Sequence, residues 1–503
     1  MTVRVSICSV TADTSSFSAS VDAFKTVLLI GEKAQLIEPN AIPLVVLGLS
    51  ADFIAPISDG TTETITSYVA GKTITAAVFS DKRTRNVGPV RADAIQDVVS
   101  KNSGKDGNVA IVVRLQSEIQ ILPAALAIAR AFPIYVRKQK TAAERTVNVY
   151  FVVANGAESV NIAKIQIVAD AVREAAELVD TPPNELNPTT YVNFVRKVWA
   201  ERLEATGVTL TVIQGKELEE RGYGGIWNVG KGSENLPALV VLSHVPEGAK
   251  KSVAWVGKGI TFDTGGLSIK ISGAMCNMKT DMGGSAGVFE GFIATVLNGV
   301  NKNFSLHAIL CIAENSVDER SYRVDDIITA YSGKTVEINN TDAEGRLCLM
   351  DGVAHACKHL NPDVIVDMAT LTGAQTYATG AKHAGLVSNS ADFEHLMVSA
   401  GKASGDLAFP MLYCPEFISV ENVMPSKVAD MTNIPGNLGD RTNAPSAGAG
   451  LFVQSHLSPE EKWLESGDGM WCHVDMAFPS RTAGRATGYG VGILYSVAES
   501  LNS

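Results

Sequence analysis

Short apolar runs alternate with polar, helix-spaced stretches along the first third of the chain. Aliphatic or β-branched runs at 25–30, 42–49, 73–79, 108–115 and 145–154 end near Gly, Asp, Asn or Ser and predict strands. Helices are predicted between some of them, at 92–100 and 123–131. A longer helix is predicted over 162–179, where Ile165, Val168, Val172, Ala175, Ala176 and Val179 recur at helical spacing. The prolines at Pro182, Pro183 and Pro188 end it, because a residue preceding proline resists the α conformation. Farther on, buried-strand runs at 238–243, 252–256, 306–313, 364–368 and 471–476 are interspersed with helical patterns at 285–297 and 346–360. The pattern predicts an α/β chain. A smaller N-terminal α/β domain spans 1–160, a linker helix and proline-rich turn 161–188, and a larger C-terminal domain with a mixed, helix-flanked sheet 189–503. Sites in such sheets gather at the carboxyl ends of strands. Lys258 and Asp263 are predicted just past one strand end, and residues 370–373 just past another.

Composition narrows the class. A chain of 503 residues exceeds what one hydrophobic core supports. With 46% apolar and 19% charged residues, long disordered tails are not expected. The net charge of −11 and the lack of a basic block argue against nucleic acid or an anionic membrane as partner. The seven cysteines are scattered and never spaced Cys-x-x-Cys, which suits reduced thiols in the cytoplasm. No apolar run reaches the ~18 residues of a membrane helix. The opening residues hold no sustained apolar core, so a secretory signal is not expected.

Two dense charged patches change the picture. Asn340-Thr-Asp-Ala-Glu-Gly-Arg346 sets Asp342, Glu344 and Arg346 at alternate positions, which in an extended segment all face one way. Upstream, the stretch from Val256 to Gly284 carries Lys258, Asp263, Lys270, Lys279 and Asp281 among glycines and apolar residues. Each residue has an ordinary reading. Asp342 suits a helix N-cap with Glu344 in the first turn and Arg346 on a solvated face. Asp263 suits a turn, Asp281 a cap, and the lysines a surface with their stems packed down. Together they are harder to explain that way, since buried charge is costly unless paired or bound to metal. A carboxylate-bridged cluster of divalent ions accounts for all of them and predicts a two-metal hydrolase. Lysines desolvated beside such ions either lose the proton and ligate or stay charged as electrophiles. Lys279 is expected to be solvated.

Histidine adds little. None of the eight forms His-Glu-x-x-His, and His355 and His359 are expected on a solvated helix face. Oxygen ligands then dominate, which admits Mg²⁺ and Mn²⁺ as well as Zn²⁺. Gly225-Ile-Trp-Asn-Val-Gly-Lys231 mimics the start of a phosphate-binding loop, but Gly232 replaces the Ser or Thr that magnesium requires. A nucleotide triphosphatase is not expected.

The segment Asn340-Thr-Asp-Ala-Glu-Gly-Arg-Leu347 resembles the signature of the leucyl aminopeptidase (cytosol aminopeptidase) family. The patches at 256–270 and 278–286 resemble its other metal-site motifs. Ala369-Thr-Leu-Thr-Gly-Ala374, Thr181-Pro-Pro-Asn184 and Ala486-Thr-Gly-Tyr-Gly490 are similar to further family segments. The likeness runs from about residue 165 to 495, leaving the N-terminal domain as the family's variable part. It implies a metal-dependent exopeptidase that removes leucine or a similar residue from peptides with a free N-terminus. It implies that Asp263 and Glu344 bridge two divalent ions (Zn²⁺, Mn²⁺, Mg²⁺ or Co²⁺), that Lys258 and Asp281 complete the tighter site, and that Asp342 serves the looser one. Lys270 and Arg346 become the catalytic cations, with bicarbonate at Arg346. Lys270, Met278, Asp281, Thr370, Leu371 and Gly373 become substrate contacts. A cytoplasmic homohexamer is implied as well. Ser285 and the 445–447 loop depart from the usual pattern, which bears on side-chain preference. The rival classes are another two-metal hydrolase, a phosphatase or glycosidase, and a catalytically silent scaffold.

Overall fold

Residues 3–11, 21, 24–38, 43–139, 144–155, 160–414, 416, 423–435 and 444–502 are described in the computed structural model. The chain falls into two units, Met1–Glu174 with Gly401–Leu407, and Ala175–Ala400 with Ala408–Ser503. It is an α/β protein, and the helix Ile162–Asp180 runs across the division.

The first unit is built on β1 (Val3–Thr11), β2 (Thr26–Gly31), β3 (Thr64–Val69), β4 (Lys72–Val78), β5 (Val109–Ser117) and β6 (Arg145–Asn155). They are ordered β1-β6-β5-β2-β4-β3. All pairings are parallel except that of β3 with β4. The central strands are buried runs such as Val109–Leu115, as expected for a parallel sheet covered on both faces. The sequence pattern missed β1 and β3. The strand predicted at 42–49 does not form over its described part, 43–49, which is a series of turns. There Leu47 N–H bonds to the Pro43 and Leu44 carbonyls, and Gly48 takes a φ of +71° that suits a turn.

The second unit holds β7 (Thr209–Gln214), β8 (Ala238–His244), β9 (Lys251–Asp263), β10 (Phe304–Asn315), β11 (Ile327–Thr329), β12 (Thr335–Glu337), β13 (Val364–Ala369), β14 (Ala384–Ser388), β15 (Ala408–Pro410), β16 (Met431–Thr432) and β17 (Met470–Asp475). Eight of these form a mixed sheet ordered β15-β14-β17-β13-β9-β10-β8-β7. Its centre, β17-β13-β9-β10, is parallel, and antiparallel pairs flank it on both sides. A small sheet of β11, β12 and β16 lies apart from it in the pairing. The helices Gly283–Leu297 and Glu344–Leu360 pack against β9.

β9 corrects the predicted strand end. Lys258 lies inside the strand, opposite Cys311 of β10, and only Asp263 stands at its carboxyl end. The neighbouring glycines do not end the strand; they admit close packing. A Cβ on Gly257 would sit 2.5 Å from Ser285 Cα, and one on Gly259 2.9 Å from the Cys311 carbonyl. The false phosphate loop is also settled. Residues Gly224–Gly230 are a helix, and a second short helix, Lys216–Glu220, precedes them where a buried strand would be needed.

Candidate active site

The parallel centre of the larger sheet brings four chain segments to one end. Asp263 closes β9, residues 370–373 follow β13, and Asp475 closes β17. Asp342 sits in the turn before the helix Glu344–Leu360, so Glu344 and Arg346 fall in the first helical turn. The extended arrangement predicted for these three does not occur. Nor does the capped-helix alternative hold, because Ala343 is the cap and Arg346 is buried. Asp281 lies in the short turn Met278–Met282, which leads into the helix Gly283–Leu297 without a side-chain cap bond.

Two lysines tie the carboxylates together. Lys258 Nζ is 2.8 Å from Asp281 Oδ1 and 2.9 Å from Glu344 Oε1, and it donates to the Thr370 carbonyl at 2.9 Å. Lys270 Nζ is 2.8 Å from Asp263 Oδ2 and also meets Asp342 Oδ1. Carboxylate oxygens of Asp263, Asp342 and Glu344 lie within 4.8 Å of one another. Four carboxylates thus share two ammonium groups. Burial, reinforced by Glu344 and Asp263, holds Asp281 well above the usual carboxylate range despite Lys258. Burial and Asp263 push Asp342 up to about 6. Burial alone would lower the Lys258 pKa, but Asp281, Glu344 and Asp263 outweigh it and hold it up. Lys270 is held up in the same way, chiefly by Asp263.

Residues that sequence reasoning did not single out fix this cluster. Asp263 Oδ1 accepts from Gly265 N–H and from the Asn315 side-chain amide, both at 2.8 Å. Asn315 also donates to the Thr341 carbonyl, and Thr341 Oγ1 donates to the Gly265 carbonyl at 2.7 Å. The two patches are thereby stitched together beneath the charges. Asn433 donates to the Asn340 carbonyl at 2.7 Å, and its own carbonyl accepts from Arg346 Nη1 at 2.8 Å. Asp475 accepts from Thr372 Oγ1 at 2.6 Å and from Leu371 N–H at 3.3 Å, which holds the 370–373 loop. Asp475 is the penultimate residue of a predicted strand, a position that could have marked it; Asn315 and Asn433 carry no such signal.

The other predicted residues are placed as follows. Thr370 Oγ1 donates to Asp281 Oδ1 at 2.9 Å. Glu344, Arg346, Leu371 and Gly373 line a cavity of about 720 Å³, whose wall does not include Met278 or Thr370. Met278 is half-buried at the start of the turn that carries Asp281. Arg346 Nε has no hydrogen-bond partner among the described residues, and burial lowers the guanidinium pKa to about 10. Two expectations fail. Lys279 is half-buried, its ammonium bonded to the Asp180 carbonyl. His355 is buried rather than solvated, although His359 is exposed. Cys8, Cys276, Cys311, Cys348, Cys357 and Cys472 are free thiols.

Gly345 shows how tightly the centre is packed. A Cβ there would lie 2.6 Å from both Cε and Nζ of Lys258. Lys258 cannot swing away without leaving Asp281 and Glu344. Gly345→Ala is therefore expected to lower the turnover of this centre at least ~10-fold, with a stability loss of about 1–3 kcal/mol. Paired kinetics and thermal melts check this, and unchanged kinetics would show that Lys258 tolerates displacement.

A buried carboxylate–lysine cluster at the carboxyl ends of parallel strands, opening on a cavity, defines a hydrolase centre suited to metal ions. The catalytic-domain model of the cytosol aminopeptidase family matches residues 173–495. The human "Probable aminopeptidase NPEPL1" is 47% identical over 393 residues, covering 77% of this chain and 72% of its own. The solved structure of leucyl aminopeptidase from Leishmania major in complex with actinonin is 36% identical. It covers 99% of this chain and 94% of its own at a TM-score of 0.86. That from Trypanosoma brucei in complex with bestatin is 34% identical, covering 99% and 95%, also at 0.86. The chain belongs to the cytosol aminopeptidase family. It is a metal-dependent aminopeptidase, and the phosphatase, glycosidase and silent-scaffold alternatives are not favoured.

Proposed function

We propose that Lys258, Asp263, Asp281, Asp342 and Glu344 hold two divalent ions drawn from Zn²⁺, Mn²⁺, Mg²⁺ and Co²⁺. In this reading residues 189–503 form the peptidase domain and 161–188 link it to the N-terminal domain, 1–160. The observation that carries the reading is the excess of carboxylates over cations among groups that meet within hydrogen-bond distance. The donor set fits hard or borderline divalent ions. Asp281 Oδ2 is buried with no hydrogen-bond partner among the described residues, an oxygen left for a ligand. Bound ions would supply Lewis acidity and a water nucleophile active at neutral pH.

The chain's own residues do the rest. Asp263 and Glu344 serve as the shared carboxylates, and Asp263 is held rigid by Gly265 and Asn315. Lys258 contributes its neutral amine, with divalent charge replacing the proton that its carboxylate neighbours otherwise retain. Lys270 keeps its proton and donates to the oxygen of the scissile carbonyl, where negative charge develops. Asp281 receives the substrate's free α-amine, with Met278, Thr370, Leu371 and Gly373 against the residue being removed. Arg346 is buried, lines the cavity and keeps unspent donor capacity at Nε, which suits a small anion. Arg346 would hold bicarbonate there, which would supply a proton acceptor and donor beside the scissile bond. The actinonin and bestatin complexes of the similar structures support a cleft for peptide-like ligands. The family's name is consistent with a cytoplasmic location, and we carry the homohexamer over from the family resemblance. Among the described residues no helix is long and apolar enough to cross a membrane.

The amine requirement gives a direct test. Acetylating the α-amine of a leucyl peptide is expected to lower kcat/KM by ~10³-fold or more, about 4 kcal/mol. Undiminished hydrolysis of the acetylated peptide would point to an endopeptidase and overturn the role of Asp281.

A further inference from the structure

The helix Glu344–Leu360 begins at the carboxylate cluster and carries a second group of donors near its other end. His355 and His359, four residues apart, share one face, with ring centroids 4.6 Å apart. Two tyrosines meet them from other segments. Tyr223, just before the helix Gly224–Gly230, pairs its hydroxyl with His355 Nδ1 at 2.8 Å. Tyr331, just after β11, pairs its hydroxyl with His359 Nε2 at 2.7 Å. The two phenol rings stack with centroids 3.9 Å apart and planes within 10°. Asp351 on the same helix accepts the backbone N–H of Tyr331 at 2.8 Å and of Ile226 at 3.0 Å, tying both tyrosine segments to the histidine helix. All four side chains line a cavity of about 570 Å³.

We propose that Tyr223, Tyr331, His355 and His359 form a second metal centre, a two-nitrogen, two-oxygen site for Cu²⁺ or a similar transition-metal ion. The dimensions support it. Donors placed ~2.0 Å from a central ion in a square have edges of about 2.8 Å, and the two nitrogen–oxygen pairs, hydrogen-bonded to each other without a metal, are 2.8 and 2.7 Å apart. The chemistry supports it too. Imidazole and phenolate in a tetragonal arrangement suit Cu²⁺, whereas the carboxylate-rich cluster suits harder ions.

Two cations flank the group. Arg221 lines the same cavity and pairs with Glu217, and Lys358 Nζ lies 4.5 Å from the Tyr331 ring centre. They oppose a bare cation, and two bound phenolates would cancel a divalent charge. Binding replaces two O–H bonds by two oxygen–metal bonds and releases two protons to solvent, with no change of oxidation state.

The test uses the full chain with its carboxylate site first saturated with Zn²⁺, then titrated with Cu²⁺. One further equivalent per chain is expected, with nitrogen hyperfine coupling in the electron paramagnetic resonance spectrum and a visible phenolate-to-copper charge-transfer band. The charge-transfer band and coupling from more than one nitrogen separate it from the carboxylate–lysine cluster, whose contacts offer the single amine nitrogen of Lys258 and neither histidine nor tyrosine. His359→Gln is expected to weaken this copper at least ~10-fold and leave leucyl-amide hydrolysis unchanged. Tyr331→Phe, a smaller change in packing, is expected to diminish the charge-transfer band and release one proton fewer. Copper uptake without nitrogen coupling, or a spectrum unaltered in both variants, would overturn the proposal.

Discussion

Glu344→Ala is expected to strip the enzyme of bound metal and lower kcat/KM for leucyl amides by ~10⁴-fold or more, about 5.5 kcal/mol of transition-state stabilisation. Glu344 is 1% exposed, at the first residue of its helix, where a carboxylate also meets the favourable end of the helix dipole. Its Oε1 holds Lys258, and it stands within ligand distance of both Asp263 and Asp342. No other carboxylate of the cluster touches both groups. Truncation would leave Lys258 to Asp281 and the Thr370 carbonyl, and breaking a buried pair costs about 3–5 kcal/mol. Thermal melts must therefore accompany the kinetics. Glu344→Gln preserves volume and removes only the charge, so it should lose metal and activity with a smaller change in melting temperature. Elemental analysis with turnover checks both variants. Full activity with full metal content in either would end the ligand assignment.

The strands that were legible in the sequence are those whose side chains are buried on both faces. β2, β4, β5 and β6 stand out as aliphatic runs for that reason. β3 was missed because alternate residues face solvent, and its Thr and Ser look like a loop. The failed strand at 42–49 has the composition of a strand but begins its described part at Pro43 and includes Gly48, and local turn bonds take its backbone. β9 was read too short because Gly257 and Gly259 look like punctuation. Their purpose is visible only once the helix bearing Ser285 is laid against the sheet.

The site divides in the same way. Its charged residues lie in two stretches dense enough to attract notice, and the structure brings those side chains together. The hydrogen-bonding frame is another matter. Asn433 is 93 residues from Asn340, and Asp475 is 103 from Thr372. No local pattern encodes such pairings; the strand pairings do, β12 with β16 for the first and β13 with β17 for the second. His355 fails for the same reason. Its spacing with His359 suggests a wet helix face, but Tyr223, 132 residues away, covers it.

Lys270→Ala is expected to separate catalysis from metal binding. Lys270 lies in the loop after β9, with its ammonium against Asp263 and Asp342 and its side chain 14% exposed. Those carboxylates keep it protonated across neutral pH. A charged donor poised beside the reacting centre matters most when negative charge builds on the carbonyl oxygen. Loss of one such donor costs about 3–4 kcal/mol. The variant should therefore lose ~10²- to 10³-fold in kcat, with KM shifted by less than ~3-fold, because the interaction strengthens mainly in the transition state. Metal content should hold or rise, since Asp263 and Asp342 lose a competing cation. Lys270→Arg should not restore the rate, because a planar guanidinium cannot occupy the position of a compact ammonium between two carboxylates. Steady-state kinetics beside elemental analysis distinguishes the outcomes. Loss of metal in parallel with kcat would make Lys270 part of the binding frame, and unchanged turnover would remove it from the chemistry altogether.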